Sequence, residues 1–312
     1  LHIGNYFGAI RQHVALQERY DETLYFCADY HSMTSMRSPE ERRSVTRELA
    51  TGYLACGIDP ERSILYRQSD LPETCELAWL LGSVTPMGLL ERAVAYKDKV
   101  SQGISADYGL FAYPVLQAAD ILQYRADLVP VGEDQRQHIE ITRDIAGSFN
   151  HVYGEVFKLP EASILEDVAV VPGTDGRKMS KAYGNSIPLF GSAGETKKAV
   201  MGIVTDSTPV DEPKETETVL FQLWRLLAKD EEREEMFVRA QAGGLGYGEV
   251  KKDLLKRVTE FFGPMRERYQ ELMARPDEVE DVLRAGVARA RALATPVFEA
   301  AREAAGVGSS RP

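Results

Sequence analysis

Lys178 and Lys181 stand three residues apart in a glycine-rich stretch, GTDGRKMSKAYGN (173–185), directly after the apolar run VAVVP. Cations at that spacing face one ligand if the loop opens a turn of helix, and the glycines permit the tight backbone such a loop needs. Met179, apolar and set between them, is suited to anchor the loop while both ammonium groups reach outward. At the start of the chain, LHIGNYFGAI puts Gly4 where a helix N-terminus could come close to an anion, with His2 and Asn5 as side-chain donors. Taken alone, that segment reads equally well as a surface helix cap. In VPVGEDQRQHIEITRDIA, Gly132 ends a strand, and Glu133 and Asp134 suit the first turn of the next helix. Gln135 is the less easily explained residue there, a neutral amide of the kind that orients a small polar ligand, whereas His138 reads as structural. In YPVLQAADILQY, Asp120 interrupts an apolar helix face. A lone acid there is either exposed at a turn or present to accept a ligand's hydrogen bond, and the second reading is favoured because buried carboxylates need partners.

These residues are positioned by an alternation of strands and helices. TLYFCADYH (23–31) reads as a buried strand running into a polar loop, followed by a helix over 38–57 with Ser38 as N-cap and Pro39 in its first turn. Strands follow at 63–70 and 126–132, with helices over 107–124 and 134–150 between and after them, and DVAVVPG (167–173) repeats the pattern of strand into glycine loop. Such alternation predicts a parallel sheet with helical crossovers, whose sites lie beyond the C-terminal strand ends. From about residue 188 the strand signals stop. The stretches 195–204, 218–241, 247–274 and 277–306 each read as a helix, and 206–218 reads as the mobile loop among them.

At 312 residues the chain exceeds the usual size of one domain, so a large α/β unit with a smaller second domain is expected. No apolar run approaches the roughly 18–20 residues of a membrane span. Cys27, Cys56 and Cys75 are odd in number and lack metal-ligand spacing, which excludes a disulfide framework or structural zinc and predicts buried free thiols in a reducing cytoplasm. A net charge of −11 excludes a sequence-blind nucleic-acid coat but permits local basic patches. Lys251, Lys252, Lys256 and Arg257 fall at helical spacing, as do Arg284, Arg289 and Arg291, either as phosphate-facing sets or as solvated helix faces.

HIGN near the start, KMSKA about 175 residues later and GEDQRQHIEITRDIA between them resemble the signatures of class I aminoacyl-tRNA synthetases. With YPVLQAADIL, GIDPERS, DYHSMT and YGEVKKDLL, the ordered set is similar to the bacterial-type tryptophanyl-tRNA synthetases over nearly the whole chain. The resemblance implies an α/β fold with a Rossmann-like, doubly wound parallel-sheet catalytic domain over 1–187. It further implies an inserted dimer-interface segment at about 90–160 and a second, all-helical anticodon-binding domain over 188–290. The C-terminal helix, 291–312, is expected to pack back on the catalytic domain. The implied reaction joins tryptophan to ATP as tryptophanyl-adenylate, releases pyrophosphate, and transfers the amino acid to the 3′ end of tRNA(Trp). The implied protein is a cytoplasmic homodimer with no membrane or DNA partner.

By the same resemblance, His2, Gly4, Asn5, Lys178, Met179, Ser180 and Lys181 bind ATP, with Lys178 and Lys181 stabilising the charge that builds on the phosphates. Magnesium rides on the phosphates, since no protein cluster has metal-ligand spacing. Tyr113, Gln117, Asp120, Val129, Val131, Gly132 and Gln135 form the tryptophan site. In that set Tyr113 and Gln135 hold the α-amino group, Val129, Val131 and Gly132 line the indole slot, and an ionised Asp120 accepts the indole N–H. The sequence departs from the family in three places: Asn5 replaces the second histidine of the common signature, Ala182 a more usual serine, and Gln117 a frequent methionine. In the family a nucleotide-contacting segment lies just upstream of the position of Leu1. Three rival readings are a tyrosyl-tRNA synthetase of the same architecture, a small-molecule nucleotidyltransferase, which would not need the helical domain, and a regulatory paralogue that charges poorly.

Overall fold

The computed structural model describes residues 1–93, 96–97, 107–164 and 171–308, which fall into two compact units. One gathers Leu1–Thr23, Thr51–Arg62 and Asp167–Val279, the other Leu24–Ala50, Ser63–Glu166 and Glu280–Pro312. Each unit is thus built from three stretches of chain, and the first unit crosses the boundary drawn from the sequence at residue 187.

In the first unit the chain enters as a helical segment from Ile3, widened into a π-helical turn at Tyr6–Ile10 before Arg11–Arg19 continues as α-helix. That turn buries Tyr6, Phe7 and Ile10, and the two rings meet Phe261 and Phe262 in edge and stacked contacts with centroids 5.2–6.2 Å apart. The helical region expected after residue 188 is present. The stretch read as one helix over 218–241 is two, Val219–Arg225 and Asp230–Ala242, parted where Lys229 takes an extended conformation and its N–H bonds to the Glu232 carboxylate. Helix Tyr247–Ala274 runs through Pro264 without a break in its assignment. The 206–218 segment is not a loose loop. Lys214 is buried, its Nζ donates to the Pro209 and Glu212 carbonyls, and Tyr247 Oη donates to Asp206.

In the second unit β1 (Thr23–Cys27) pairs with β2 (Ser63–Arg67), and β3 (Leu128–Val131) runs parallel to β4 (Glu161–Ile164), with Val129 opposite Ala162 and Val131 opposite Ile164. The strand β4 carries no pattern that announced it, and most of the strand expected at 167–173 lies outside the described residues. Helix Pro276–Ala304 crosses β2 so closely that a Cβ on Gly286 would sit 1.9 Å from the Leu65 carbonyl oxygen. Arg289 and Arg291 of the same helix donate to the Ser63 and Asp70 carbonyls, and Arg291 also pairs with Glu73. Cys27 and Cys56 are buried as expected, but Cys75 is exposed, because it opens onto a cavity beside Tyr30 and His31 while Thr74 and Leu77 of the same helix, Glu73–Gly82, turn inward. No helix among the described residues is long and apolar enough to cross a membrane.

Candidate active site

The first unit brings its two sequence signatures together. The backbone of the opening segment is bonded to the chain just beyond the lysine loop, Ile3 N–H to the Ile187 carbonyl at 3.0 Å and Leu189 N–H to the Leu1 carbonyl at 3.2 Å. Gly4 then lies against Met179. A Cβ at Gly4 would fall 2.9 Å from His2 Nδ1 and 3.4 Å from Met179 Cβ, so a glycine is what lets the helix start approach the loop. Asn5 Oδ1 accepts the His2 N–H at 2.9 Å, which caps the first turn and holds the segment's entry angle. Burial lowers the His2 ring below its ordinary value, with the nearby positive charge of Lys181 adding to the effect, so the ring is neutral at pH 7.

In the loop Met179 is buried and Lys178 and Lys181 are exposed, as the anchor-and-reach reading requires. Lys181 opens a 3-10 turn, Lys181–Tyr183, capped by Ser180, whose hydroxyl accepts the Ala182 N–H. Neither lysine has an acidic partner among the described residues, whereas Arg177, next to them, is paired with Asp175 and lies 4.6 Å over the Tyr183 ring. The loop thus presents two unneutralised ammonium groups and keeps its third cation for its own structure.

In the second unit Tyr113, Gln117 and Asp120 share one face of helix Tyr108–Leu122 at spacings of four and three residues. Asp120 is 2% exposed, so it is not at an exposed turn. It does not wait unpartnered for a ligand either: His31 Nε2 donates to Oδ2 at 2.8 Å, and Gln68 Nε2 donates to Oδ1 at 2.9 Å and to Oδ2 at 2.8 Å. Gln68 is fixed in that orientation by the Tyr30 N–H, which its Oε1 accepts at 3.2 Å. Burial pushes the Asp120 carboxyl above its ordinary range, against the hydrogen bonds from His31 and Gln68 that favour the ionised form. His31 and Gln68 went unnoticed in the sequence. The available signal was position, since Asp29–Ser32 follows β1 and Gln68–Asp70 follows β2 directly, at the strand ends where such folds place their sites.

Val129 and Val131, two residues apart on β3, point to one face, with Gly132 and Gln135 in the turn that leads into helix Arg136–Tyr153. Gln135 is exposed at that helix start. His138, one turn further on, lies edge-on to Tyr113 with ring centroids 5.9 Å apart, in keeping with a structural part. A cavity of about 660 Å³ opens beside His31 and Tyr113 and runs out to Trp79, Met87 and Tyr108, which are 74%, 63% and 77% exposed. Among the described residues no cluster of His, Cys, Asp and Glu is arranged to hold a metal ion.

The family described as tRNA synthetases class I (W and Y) matches residues 1–263. The chain belongs to this family. A tryptophan–tRNA ligase of Rhodopirellula baltica is 51% identical over 307 residues, 98% of this chain and 96% of the relative. One of Fusobacterium nucleatum is 49% identical over 308 residues, 98% and 94% of the two chains. A crystal structure of the tryptophanyl-tRNA synthetase of Campylobacter jejuni, complexed with ADP and tryptophan, has a TM-score of 0.93 at 46% sequence identity and covers 98% of this chain and 96% of that one. The α/β fold of this class I synthetase is accordingly Rossmann-like with a helical domain.

Within the synthetase the basic sets of the helices serve internal contacts. Arg257 holds Glu232 in a two-pronged pair, bonds Asp253 and lies 4.9 Å over the Trp224 ring, which keeps the Glu232 carboxyl at about 2. Lys251 Nζ donates to the Met201 and Ile203 carbonyls, and Arg284 pairs with Asp281. Lys251, Arg257, Arg289 and Arg291 thus hold contacts within the chain, whereas Arg284, in an exposed pair, and Lys252 and Lys256 stand at the surface of their helices.

Proposed function

We propose that the chain is a tryptophan–tRNA ligase. The observation that carries the reading is the apposition of His2, Gly4 and Asn5 with the exposed Lys178 and Lys181, in a chain that aligns along nearly its whole length with tryptophan–tRNA ligases. One oxygen of the tryptophan carboxylate attacks the α-phosphorus of ATP in line with the bond to the β-phosphate. That P–O bond breaks, tryptophanyl-adenylate forms, and pyrophosphate departs with the bonding pair. Negative charge grows on the non-bridging oxygens and on the leaving group. Lys178 and Lys181 stabilise it, while a neutral His2 and Asn5, with the backbone freed of a Cβ at Gly4, hold the nucleotide. Magnesium enters on the phosphates of ATP. A hydroxyl of the terminal ribose of tRNA(Trp) then attacks the activated carbonyl carbon, and AMP leaves.

Tryptophan is read in the second unit. Tyr113 and Gln135 take the α-amino group, Val129, Val131 and Gly132 border the indole with Gln117 beside them, and Asp120 accepts the indole N–H. An ionised carboxylate has about four acceptor places. Gln68 and His31 occupy three, so one remains for the single N–H that an indole carries. The helical region, 188–290, takes the anticodon arm of the tRNA. The enzyme works in the cytoplasm as a homodimer, in which a second copy covers the apolar face around Trp79, Met87 and Tyr108.

The deciding experiment is exchange of labelled pyrophosphate into ATP with tryptophan, with tyrosine in parallel and a Lys181→Ala variant. Exchange with tryptophan alone, lost in the variant, is expected. Exchange with tyrosine instead would make the enzyme a tyrosyl-tRNA synthetase, and none with either would leave the regulatory paralogue.

A further inference from the structure

Among the described residues the side chains of Lys178 and Lys181 make no hydrogen bond or ion pair, so the backbone that carries them must set where they stand. Asn185 is buried, 3% exposed, at the end of the stretch. Its Oδ1 accepts the Ser180 N–H at 2.8 Å, and its Nδ2 donates to Asp175 Oδ1 at 2.7 Å and to the Lys178 carbonyl at 3.2 Å. Its own carbonyl accepts the Thr174 N–H at 2.8 Å. One side chain therefore grips the backbone on both sides of Met179 and ties it to the tip of the preceding turn. Gly173 makes room for it, because a Cβ there would lie 2.1 Å from Asn185 Nδ2. Asp175, held by Asn185, in turn holds Arg177, whose guanidinium rests on Tyr183 in the turn that begins with Lys181.

We infer that Asn185 is a positioning residue for adenylate formation, an internal clasp that through Asp175, the Lys178 carbonyl and the Ser180 N–H sets Lys178 and Lys181 on the departing pyrophosphate. The inference rests on the proposed ligase activity. Asn185 is buried and is not among the residues assigned to the nucleotide or the amino acid, and those assigned to tryptophan belong to the other unit. Its loss therefore acts on the step in which charge develops and leaves tryptophan binding alone. A free-energy change in the transition state alone lowers kcat, and a tenfold loss corresponds to about 1.4 kcal/mol.

Asn185→Asp keeps the shape but sets a carboxylate against Asp175 and the Lys178 carbonyl. The double variant Asp175→Asn with Asn185→Asp restores a donor facing a carboxylate at that one contact, with the roles reversed, while the Lys178 carbonyl still lacks its donor and Arg177 loses its carboxylate. Pyrophosphate exchange at saturating ATP and tryptophan is expected to fall about tenfold or more in Asn185→Asp, with the KM for tryptophan within about twofold of the parent, and to recover part of the loss in the double variant. Parent-like exchange in Asn185→Asp, a rise in the tryptophan KM alone, or a double variant no better than the single one would each overturn the inference. If the parent itself does not exchange, the ligase reading has failed, and the clasp is still read by limited trypsin digestion. Cleavage after Lys178 and Lys181 is expected to be faster in Asn185→Asp than in the parent and slowed again in the double variant, and equal rates in all three would dispose of it.

Discussion

Asp120→Asn isolates the acceptor at the centre of the second unit without changing its size. In the parent the carboxylate meets three donor contacts within 2.9 Å and keeps one acceptor place. An asparagine oxygen has only two lone pairs, and its NH2 group must face either Gln68 Nε2 or His31 Nε2, both of which donate. The indole N–H then loses a charge-assisted bond, a loss of roughly 1.5–3 kcal/mol for a hydrogen bond to a charged group. That corresponds to a tryptophan KM about 10- to 150-fold higher in pyrophosphate exchange, with the KM for ATP unchanged. The pH profile supplies a second sign. Because burial raises the Asp120 carboxyl, the parent takes up its proton at a higher pH than an ordinary aspartate, and its tryptophan KM climbs as pH falls through that range. The variant has no such proton to gain, so its profile lacks that climb. A tryptophan KM within about twofold of the parent, in a variant that melts normally, would refute the assignment of Asp120 to the indole.

Gly286→Ala puts a methyl 1.9 Å from the Leu65 carbonyl oxygen, so helix and β2 must separate. A glycine-to-alanine change inside a helix otherwise stabilises by about 0.5–1 kcal/mol, so a net loss of about 1–3 kcal/mol in urea unfolding is the diagnostic result. His13 is lowered by burial from 6.5 to about 4, so below pH 6.5 the unfolded chain binds a proton that the folded one refuses. Stability from this residue is complete above pH 6.5 and declines as pH falls towards 4, by at most about 1.4 kcal/mol per pH unit, and a His13→Gln variant should show a flatter curve in that window. Trp79→Glu places a charge in the apolar face around Met87 and Tyr108, and sedimentation is expected to show a parent dimer and a variant monomer. A parent that sediments as a monomer would remove that interface.

The features legible in the sequence are those carried by local spacing. Strands β1, β2 and β3 are short apolar runs ended by polar residues. Helix Tyr108–Leu122 begins at the Asp107 cap, and the Ser38 hydroxyl accepts the Glu41 N–H as its place before Pro39 predicted. The lysine loop was equally readable, because glycines, a buried methionine and two cations lie within a dozen residues. What escaped depends on distance along the chain. His31 reaches Asp120 across 89 residues and Gln68 across 52, and no local pattern marks either pairing. The charge clusters were left open between phosphate-facing sets and solvated faces for a related reason. Helical spacing places Lys251 and Arg257 on a face but does not reveal whether acids or carbonyls elsewhere will occupy that face. In a chain of net charge −11 many cations find internal partners, so an arginine at helical spacing is a weaker sign of phosphate binding than a lysine that the fold leaves unpaired. Lys178 and Lys181 are of the second kind, and their lack of acidic partners among the described residues is what leaves them available to an anionic ligand, as the proposed reaction requires.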